Sequence, residues 1–436
     1  MRIGGDQMLG IALGLVLLII LAYRGWSIIW IAPICAGVVA IFGGLDLLDA
    51  YTNTYMQGFV DFTKSWFPVF MLGAIFGKLM EYSGMAQSVA QGIIKLFGEN
   101  QAIIGVIMAS SVLAYGGISV FVVVFAVYPI AVNMFRQADI PRKLMPATIT
   151  AGMMTFAMTA LPGTPQIQNL IPTDYFNTTA TAAPIMGLAA SFVMGGGSIL
   201  YLKWREKKLK KTGHGFKALE KDLEEKEKIK GKLPNLYISI LPLISVIVTL
   251  NIFNWNIVVC LLIAVLLIII FSLNNIKSLI PSLNQGASDS VMAMINTSAA
   301  VGFGTVVRVV PGFQKLSDFI LGIDANPLIS MSIASNVLSG ATGSASGGLG
   351  ITMEALGHKY NEIAASTGIA PEAFHRIASI ASGGLDALPH NGAVITILIV
   401  TGLTHKESYR DIAVVAIVFP ILSLIPAILL ASIGVY

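Results

Sequence analysis

The chain is predicted to be an all-α polytopic membrane protein made of two inverted repeats, each with a re-entrant hairpin and a broken helix. Three observations predict this. Of 436 residues, 55% are hydrophobic and only 11% charged, whereas a soluble domain carries roughly 25% charged residues. Two long apolar segments are interrupted by Pro and Gly, at Leu161-Pro-Gly-Thr-Pro-Gln-Ile-Gln-Asn169 and at Leu388-Pro-His-Asn-Gly-Ala-Val394. Short matches also recur at a near-constant offset. Composition excludes other classes. The net charge of +4 resides in loops, with no basic stripe interleaved with aromatics, so no nucleic-acid partner is expected. Cys35 and Cys260 sit in apolar spans and read as packing residues. No cofactor is expected.

Taken in order, residues 8–22 and 26–44 read as spans joined by a tight Tyr23-Arg24-Gly25-Trp26 turn. The first lacks the basic leader and small-residue cleavage site of a signal peptide. A polar stretch with Asp46, Asp49, Asp61 and Lys64 precedes a third span at 66–82. Residues 85–98 look amphipathic and suited to the bilayer interface. From Ile103 to Phe135 the apolar run is interrupted by Tyr115-Gly116-Gly117, as in a re-entrant hairpin, with one long helix as the alternative. A broken span at 144–175 and a clean one at 182–201 follow. Proline removes a backbone donor and clashes with the preceding turn, so the helix must open. At membrane depth the freed groups are tolerated only where protein or a watery cavity satisfies them.

Residues 203–233 hold 12 of the 27 Lys and Arg against six acids. They read as a solvated linker, 203–234, placed inside by the positive-inside rule. The second half, 235–436, restarts with spans at 236–252, 256–272 and 288–310. A hairpin at 326–356, a broken span at 372–403 and a last span at 411–433 complete it.

The order repeats that of residues 1–202. Ala109-Ser-Ser-Val-Leu113 resembles Ala334-Ser-Asn-Val-Leu338 at an offset of 225. Ala160-Leu161-Pro162 matches Ala387-Leu388-Pro389, and Phe76-Gly77 matches Phe303-Gly304, both at 227. Gly116-Gly117 matches Gly347-Gly348 at 231. Each half would cross five times, so the second enters inverted. With the linker inside, Arg24, Lys95, Arg136, Arg142, Lys143, Lys277, Lys406 and Arg410 fall on its side. Lys64, Lys315, Lys359 and Arg376, with Arg2 at the terminus, stand against this. Ten crossings plus two hairpins is the expected topology, and a fourteen-span count is the alternative.

Two broken spans, one per half, point to a solute site at the repeat interface. The half-helix N-termini aim free amides and partial positive charge at a cavity, which suits a small anion. Candidates in the first half are Thr159, Gly163, Thr164, Gln166, Gln168 and Asn169. In the second they are Asp386, His390, Asn391 and Thr396. One hairpin tip adds Tyr115, Gly116, Gly117 and Ser119; the other adds Ser339, Thr342, Ser344, Ser346, Gly347 and Gly348. The small residues also suit plain helix packing in lipid. Asp386 and His390 stand four apart astride the break, an expensive placement that defaults to function. They could relay a proton, histidine titrating near neutrality, or could hold the loop by a hydrogen bond. Glu81 and Arg308 follow Gly77 and Gly304 by four residues each, and could pair across the repeat axis or reach separate interfaces. Glu354 and His358 share a helix face, but no third ligand stands nearby, so no metal is expected. Tyr115, Tyr175 and Phe176 are the nearest aromatics, implying a small polar site.

The run Gly383-Gly-Leu-Asp-Ala-Leu-Pro-His-Asn-Gly-Ala-Val394, with Leu161–Asn169, resembles the gluconate permease (GntP) family of the ion transporter superfamily. The likeness spans the whole chain, and Asp386-Ala-Leu-Pro-His-Asn-Gly392 is similar to the branch associated with 3-hydroxybutyrate. The resemblance implies proton-coupled uptake of a small carboxylate across a bacterial plasma membrane by a homodimer with an elevator motion. Spans within 8–82 and 236–310 would be the scaffold, and 101–202 and 325–436 the transport part. Wider relatives hold sodium with Ser-Asn-Thr at the hairpin tips. Here the tips read Ala114-Tyr-Gly-Gly-Ile-Ser119 and Ala341-Thr-Gly-Ser-Ala-Ser346. A proton is therefore the expected coupling ion, sodium the alternative, and a gluconate- or glycerate-type solute the alternative cargo. An anion channel is the reading from another class; no enzyme activity is expected.

Overall fold

The computed structural model describes residues 3–98, 101–219, 233–273, 276–313, 315, 326–389 and 391–436. Every regular element among them is helical. Helices α1 (Ile3–Tyr23) and α2 (Ile28–Gly43) are joined at Gly25, whose φ of 79° needs glycine. Ser27 caps α2 by accepting the Ile29 amide at 3.4 Å, and Gly44, left-handed at φ 73°, ends it. The third span begins nineteen residues before the predicted position, because the polar stretch is itself helical. Asp46 accepts the Asp49 amide at 2.8 Å and starts a helix at Leu47. It continues through a wide turn, Ala50–Tyr55, into α3 (Met56–Tyr82). Polar pairs four residues apart, Asn53 with Asp49 and Gln57 with Asp61, satisfy its side chains along the helix.

Helix α4 (Met85–Phe97) buries Met85, Ala86, Val89 and Ile94 and packs on the helices that follow and on the start of the second half. The first hairpin is α5 (Ala102–Tyr115) and α6 (Val120–Gln137), two helices rather than one. Then come α7 (Met145–Met153), the single turn α8 (Phe156–Thr159), α9 (Ile167–Phe176) and α10 (Pro184–Lys211). The last runs ten residues past the predicted end of its span. Its polar end is held by Lys210 to Glu206 at 2.7 Å and by Arg205 to Asp411 at 2.8 Å.

The second half presents α11 (Leu236–Asn251), α12 (Ile257–Phe271) and α13 (Ile276–Val309). Its hairpin is α14 (Pro327–Thr342) and α15 (Ala345–Thr352), the latter continuing through Met353–Gly357 into α16 (His358–Thr367), beyond the predicted end. The broken span is α17 (Pro371–Ser382) and α18 (Gly392–Thr401). Helix α19 (His405–Ala413) runs through Val414–Val418 into α20 (Phe419–Ser432).

Helices α3 and α13 form the most extensive pairing, and they run antiparallel. Gly58 lies against Thr305, Thr63 Oγ1 is 2.8 Å from Ser298 Oγ, and Gly286 lies against Ile75. Glycine on either side lets the backbones approach. Other contacts are reciprocal between halves. Helix α2 packs on α13 and α12 on α3; α6 packs on α18 and α15 on α9. Five helices among the described residues are long and apolar enough to cross a bilayer: Leu47–Tyr82, Val120–Gln137, Pro184–Lys211, Leu279–Val309 and His405–Ser432. Leu9, Leu13, Val16 and Ile20 on α1 and Leu188, Phe192 and Leu200 on α10 stay exposed. An apolar belt of this kind belongs against lipid rather than water.

Candidate functional site

Both apolar segments open where the prolines and glycines stand. In the first, the chain leaves helix after Thr159 and re-enters it at Ile167, with Gly163 at φ 79°. Side chains from around the break satisfy its freed carbonyls. Tyr115 Oη donates to Pro162 O at 2.8 Å, and Asn251 Nδ2 to Gly163 O at 3.0 Å. Gln166 Nε2 reaches back to Ala114 O at 2.6 Å, and Ser379 Oγ donates to Thr159 O at 2.7 Å. Asn169, fully buried, donates to Thr164 O at 2.9 Å and Ala180 O at 2.8 Å. Its Oδ1 accepts Arg376 Nη1 at 2.9 Å, while Arg376 Nε and Nη2 bond Ala182 O at 3.0 and 2.6 Å. His375 Nδ1 lies 2.6 Å from Thr178 Oγ1.

The second break spans Gly383 to Asn391. Asn391 caps α18, its Oδ1 accepting the amides of Ala393 at 2.7 Å and Val394 at 3.0 Å. Its Nδ2 donates to Asp386 Oδ1 at 2.8 Å and to Gly343 O at 2.9 Å, so the break is tied to the second hairpin tip. Asp386 is 4% exposed. His405 Nε2 donates to Pro389 O at 2.9 Å. His390 lies outside the described residues.

The two breaks and the two hairpin tips meet at one cavity of about 920 Å³. Gly117, Ser119, Gln166 and Gln168 line it from the first half, and Thr342, Ser344, Ser346, Gly347, Asp386 and Asn391 from the second. The residues that start α6, α9, α15 and α18 are Ser119, Gln166, Ser344 and Asn391. Four helix N-termini therefore face one space, each bringing partial positive charge. Helix α9 has no side-chain cap on its first amides.

The remaining candidates lie outside the lining, each for a local reason. Tyr115, Thr159, Gly163, Thr164 and Asn169 hold the first break through the bonds above or through Thr164 Oγ1 to Ala157 O at 2.9 Å. A side chain at Gly116 would meet Leu243, and one at Gly348 the Ser339 backbone, so both are close-packing positions. Ser339 is fully buried within the second hairpin, and Thr396 bonds Gly392 O at 2.8 Å on its own helix.

Sequence reasoning missed the wall opposite the tips. Helices α3 and α13 contribute Lys78, Asp289, Asn296 and Thr297. A lysine and an aspartate inside apolar helices carry the signal that could have found them. Lys78 is the one cationic lining residue among those described. Glu81 and Arg308 do not pair with each other: Glu81 bonds Lys78 at 3.2 Å, and Arg308 bonds Glu354 at 3.0 Å. Trp26, Phe70, Phe121 and Phe125 line the cavity, so it carries the aromatic surface that Tyr115, Tyr175 and Phe176 do not supply. Arg376, counted as an exception to the charge rule, is fully buried and faces neither side of a membrane.

The sequence model for GntP family permeases matches residues 7–255, more than half of the chain. A relative in Bacillus subtilis, the uncharacterized transporter YxjC, is 39% identical, over 94% of this chain and 96% of its own. The chain belongs to the GntP family. Its membership fits the all-helical structure with several apolar helices. A Haemophilus influenzae protein, named an uncharacterized permease, is 24% identical over 77% of this chain and 74% of its own. Among solved structures, the YdaH transporter of Alcanivorax borkumensis superposes at a TM-score of 0.58 with 13% identity, over 89% of this chain and 88% of that one. MtrF of Neisseria gonorrhoeae, described with a class of antimetabolite efflux pumps, gives 0.53 with 13% identity, over 89% and 84%. At that identity the likeness to both is one of fold. This GntP permease thus shares its helical architecture with transporters of distant sequence.

Proposed function

We propose that this permease is a secondary transporter carrying a short hydroxy-monocarboxylate, such as 3-hydroxybutyrate, in symport with a proton. The observation that carries the reading is the convergence of four helix N-termini on one cavity whose charged lining, among the described residues, is Lys78, Asp289 and Asp386. Oriented amides attract an anion without a permanent buried charge. Phe70, Phe121 and Phe125 offer apolar surface for a short alkyl end, and the Ser and Thr hydroxyls of the second tip both donate and accept. Two acids against one lysine would repel a carboxylate, so neutralising Asp386 with a proton favours loading both together. Asp386 suits that role because a neutral donor, the Asn391 amide, holds it, with no cation beside it among the described residues.

On this reading residues 1–202 and 235–436 are inverted repeats in a bacterial plasma membrane, with the 203–234 linker cytoplasmic. Their α3 and α13 halves are a dimeric scaffold, past which hairpins and broken helices move. The antiparallel α3–α13 pair supports the inversion. The test is uptake of labelled 3-hydroxybutyrate into proteoliposomes under an imposed pH gradient. Accumulation above equilibrium only with the gradient is expected; uptake indifferent to the gradient removes the coupling, and no saturable uptake removes the cargo. The roomy cavity, about 920 Å³, favours a second cargo, a longer polyhydroxy acid of the gluconate type. Competition by gluconate and glycerate decides between them, and replacing sodium in the medium decides the ion. Single-channel currents would instead indicate an anion channel.

A further inference from the structure

We propose that the Arg308–Glu354 ion pair, steadied by Thr305 and Tyr175, is the closure that seals one membrane face while the cavity stands open to the other. This rests on the transport reading above and adds the residues that must part for the cavity to change sides. The antiparallel α3–α13 pair tells the two faces apart. One face carries the α1–α2 turn, the last turns of α3 and the early turns of α13. Gly25, Trp26, Lys78 and Asp289, from these places, line the cavity. The other face carries the ends of α2 and α13, where Gly43 lies against Val310. Neither of those two residues lines the cavity.

On the closed side α13 packs directly on the second hairpin. Gly350 lies against Val301 and Gly304 against Ile351, and Thr297 Oγ1 is 3.5 Å from Ser346 Oγ. At the outermost turn Arg308 Nη2 lies 3.0 Å from Glu354 Oε1, and Nη1 donates to the Glu354 carbonyl at 3.5 Å. Thr305 Oγ1 donates to the same carboxylate at 3.5 Å, and Tyr175 Oη donates to its other oxygen at 3.3 Å. One carboxylate thus joins α13, the hairpin arm and α9.

The positions 227 residues earlier behave differently. Thr305 corresponds to Lys78 and Arg308 to Glu81. Those two bond each other along α3 at 3.2 Å, and Lys78 lies 3.8 Å from Asp289 on α13. No ion pair crosses from α3 to the first hairpin among the described residues, and the space beside Gly73 is open. The open side keeps its charges within the α3–α13 pair; the closed side commits them across to the hairpin. With side chains 38% and 17% exposed, the Arg308–Glu354 pair belongs to the weaker class of ion pairs, as suits a contact broken in every cycle.

The test uses the full chain in oriented proteoliposomes, with Cys35 and Cys260 replaced by Ala and a single reporter, Ala293→Cys, on the cavity wall. A membrane-impermeant methanethiosulfonate is applied from the face that carries Arg308. Glu354→Gln and Arg308→Gln should quicken labelling by roughly two- to fivefold, and Arg308→Glu by more. The exchange of charges, R308E with E354R, should return the rate toward that of the parent. Unchanged labelling in the single variants, or no recovery in the exchange, overturns the proposal. Should the Arg308 variants fail to fold, Thr305→Val and Tyr175→Phe each remove one hydroxyl and should quicken labelling in the same direction; a flat response from both overturns it equally. Labelling does not depend on the solute. Unchanged labelling in vesicles that accumulate the hydroxy acid removes the closure alone, whereas absent uptake removes the transport reading.

Discussion

The two helix breaks use one backbone device and finish it with opposite chemistry. At the first, a fully buried guanidinium, Arg376, holds the carbonyl of Ala182 and the side chain of Asn169, and reaches Ala180 O at 3.3 Å. At the second, a buried carboxyl, Asp386, is held by the side-chain amide of Asn391. The clamp on the first break comes from α17, an element of the other half. The second is tied to its own half's hairpin tip through Gly343. Only the second puts its ionisable group in the cavity lining. The difference teaches a division of labour: the first break is braced by a charge kept away from the cavity, and the second keeps its ionisable group in the cavity lining.

Substitutions can break this contrast or sharpen it. The largest effect is expected from Arg376→Met, which leaves several buried acceptors without donors. Each orphaned acceptor costs about 1–3 kcal/mol, so a loss of about 3 kcal/mol or more should appear as a lower unfolding temperature in detergent. Arg376→Lys should recover only part, since an ammonium cannot reproduce the planar fork. Asp386→Asn should do the reverse. The amide oxygen still accepts from Asn391, so stability should stay within about 0.5 kcal/mol, while proton-driven accumulation falls to equilibration. A strong drop in unfolding temperature in that variant would erase the distinction between the breaks. Asn391→Ala should fall between, losing the α18 cap at about 1 kcal/mol and weakening uptake, as read by an unfolding curve and initial rates. Thr396→Val should change neither measure appreciably, because its hydroxyl bonds only its own helix.

What was legible in the chain follows from what each signal measures. Proline and glycine act on the local backbone, so both breaks and the first hairpin tip stood where Pro162, Pro165, Pro389 and Gly117 place them. The second tip instead turns at Gly343, and the Gly347-Gly348 matched to Gly116-Gly117 lies inside α15. Helix ends were less legible. The stretches at 47–65 and 202–211 are polar, and polarity reads as loop unless the intrahelical pairs Asn53–Asp49 and Glu206–Lys210 are anticipated. Among site residues, polarity near a break proved ambiguous. Asn169 and Thr164 look like ligands but spend their groups on neighbouring carbonyls, whereas Gln166 both bonds the first hairpin and lines the cavity. Lys78 and Asp289 stand out as charges inside apolar helices, but that they line the cavity depends on how α3 crosses α13, which no local pattern records.

The convergence of four helix beginnings on one space has a consequence for how such a protein diversifies. The partial positive charge it brings is a property of peptide groups, which every sequence of this fold possesses, so changes of side chain leave it in place. Phe70, Phe121, Phe125 and the hydroxyls of the second tip are then free to vary in size and polarity. A new cargo can be accommodated by altering the wall while the frame that draws it in stays constant.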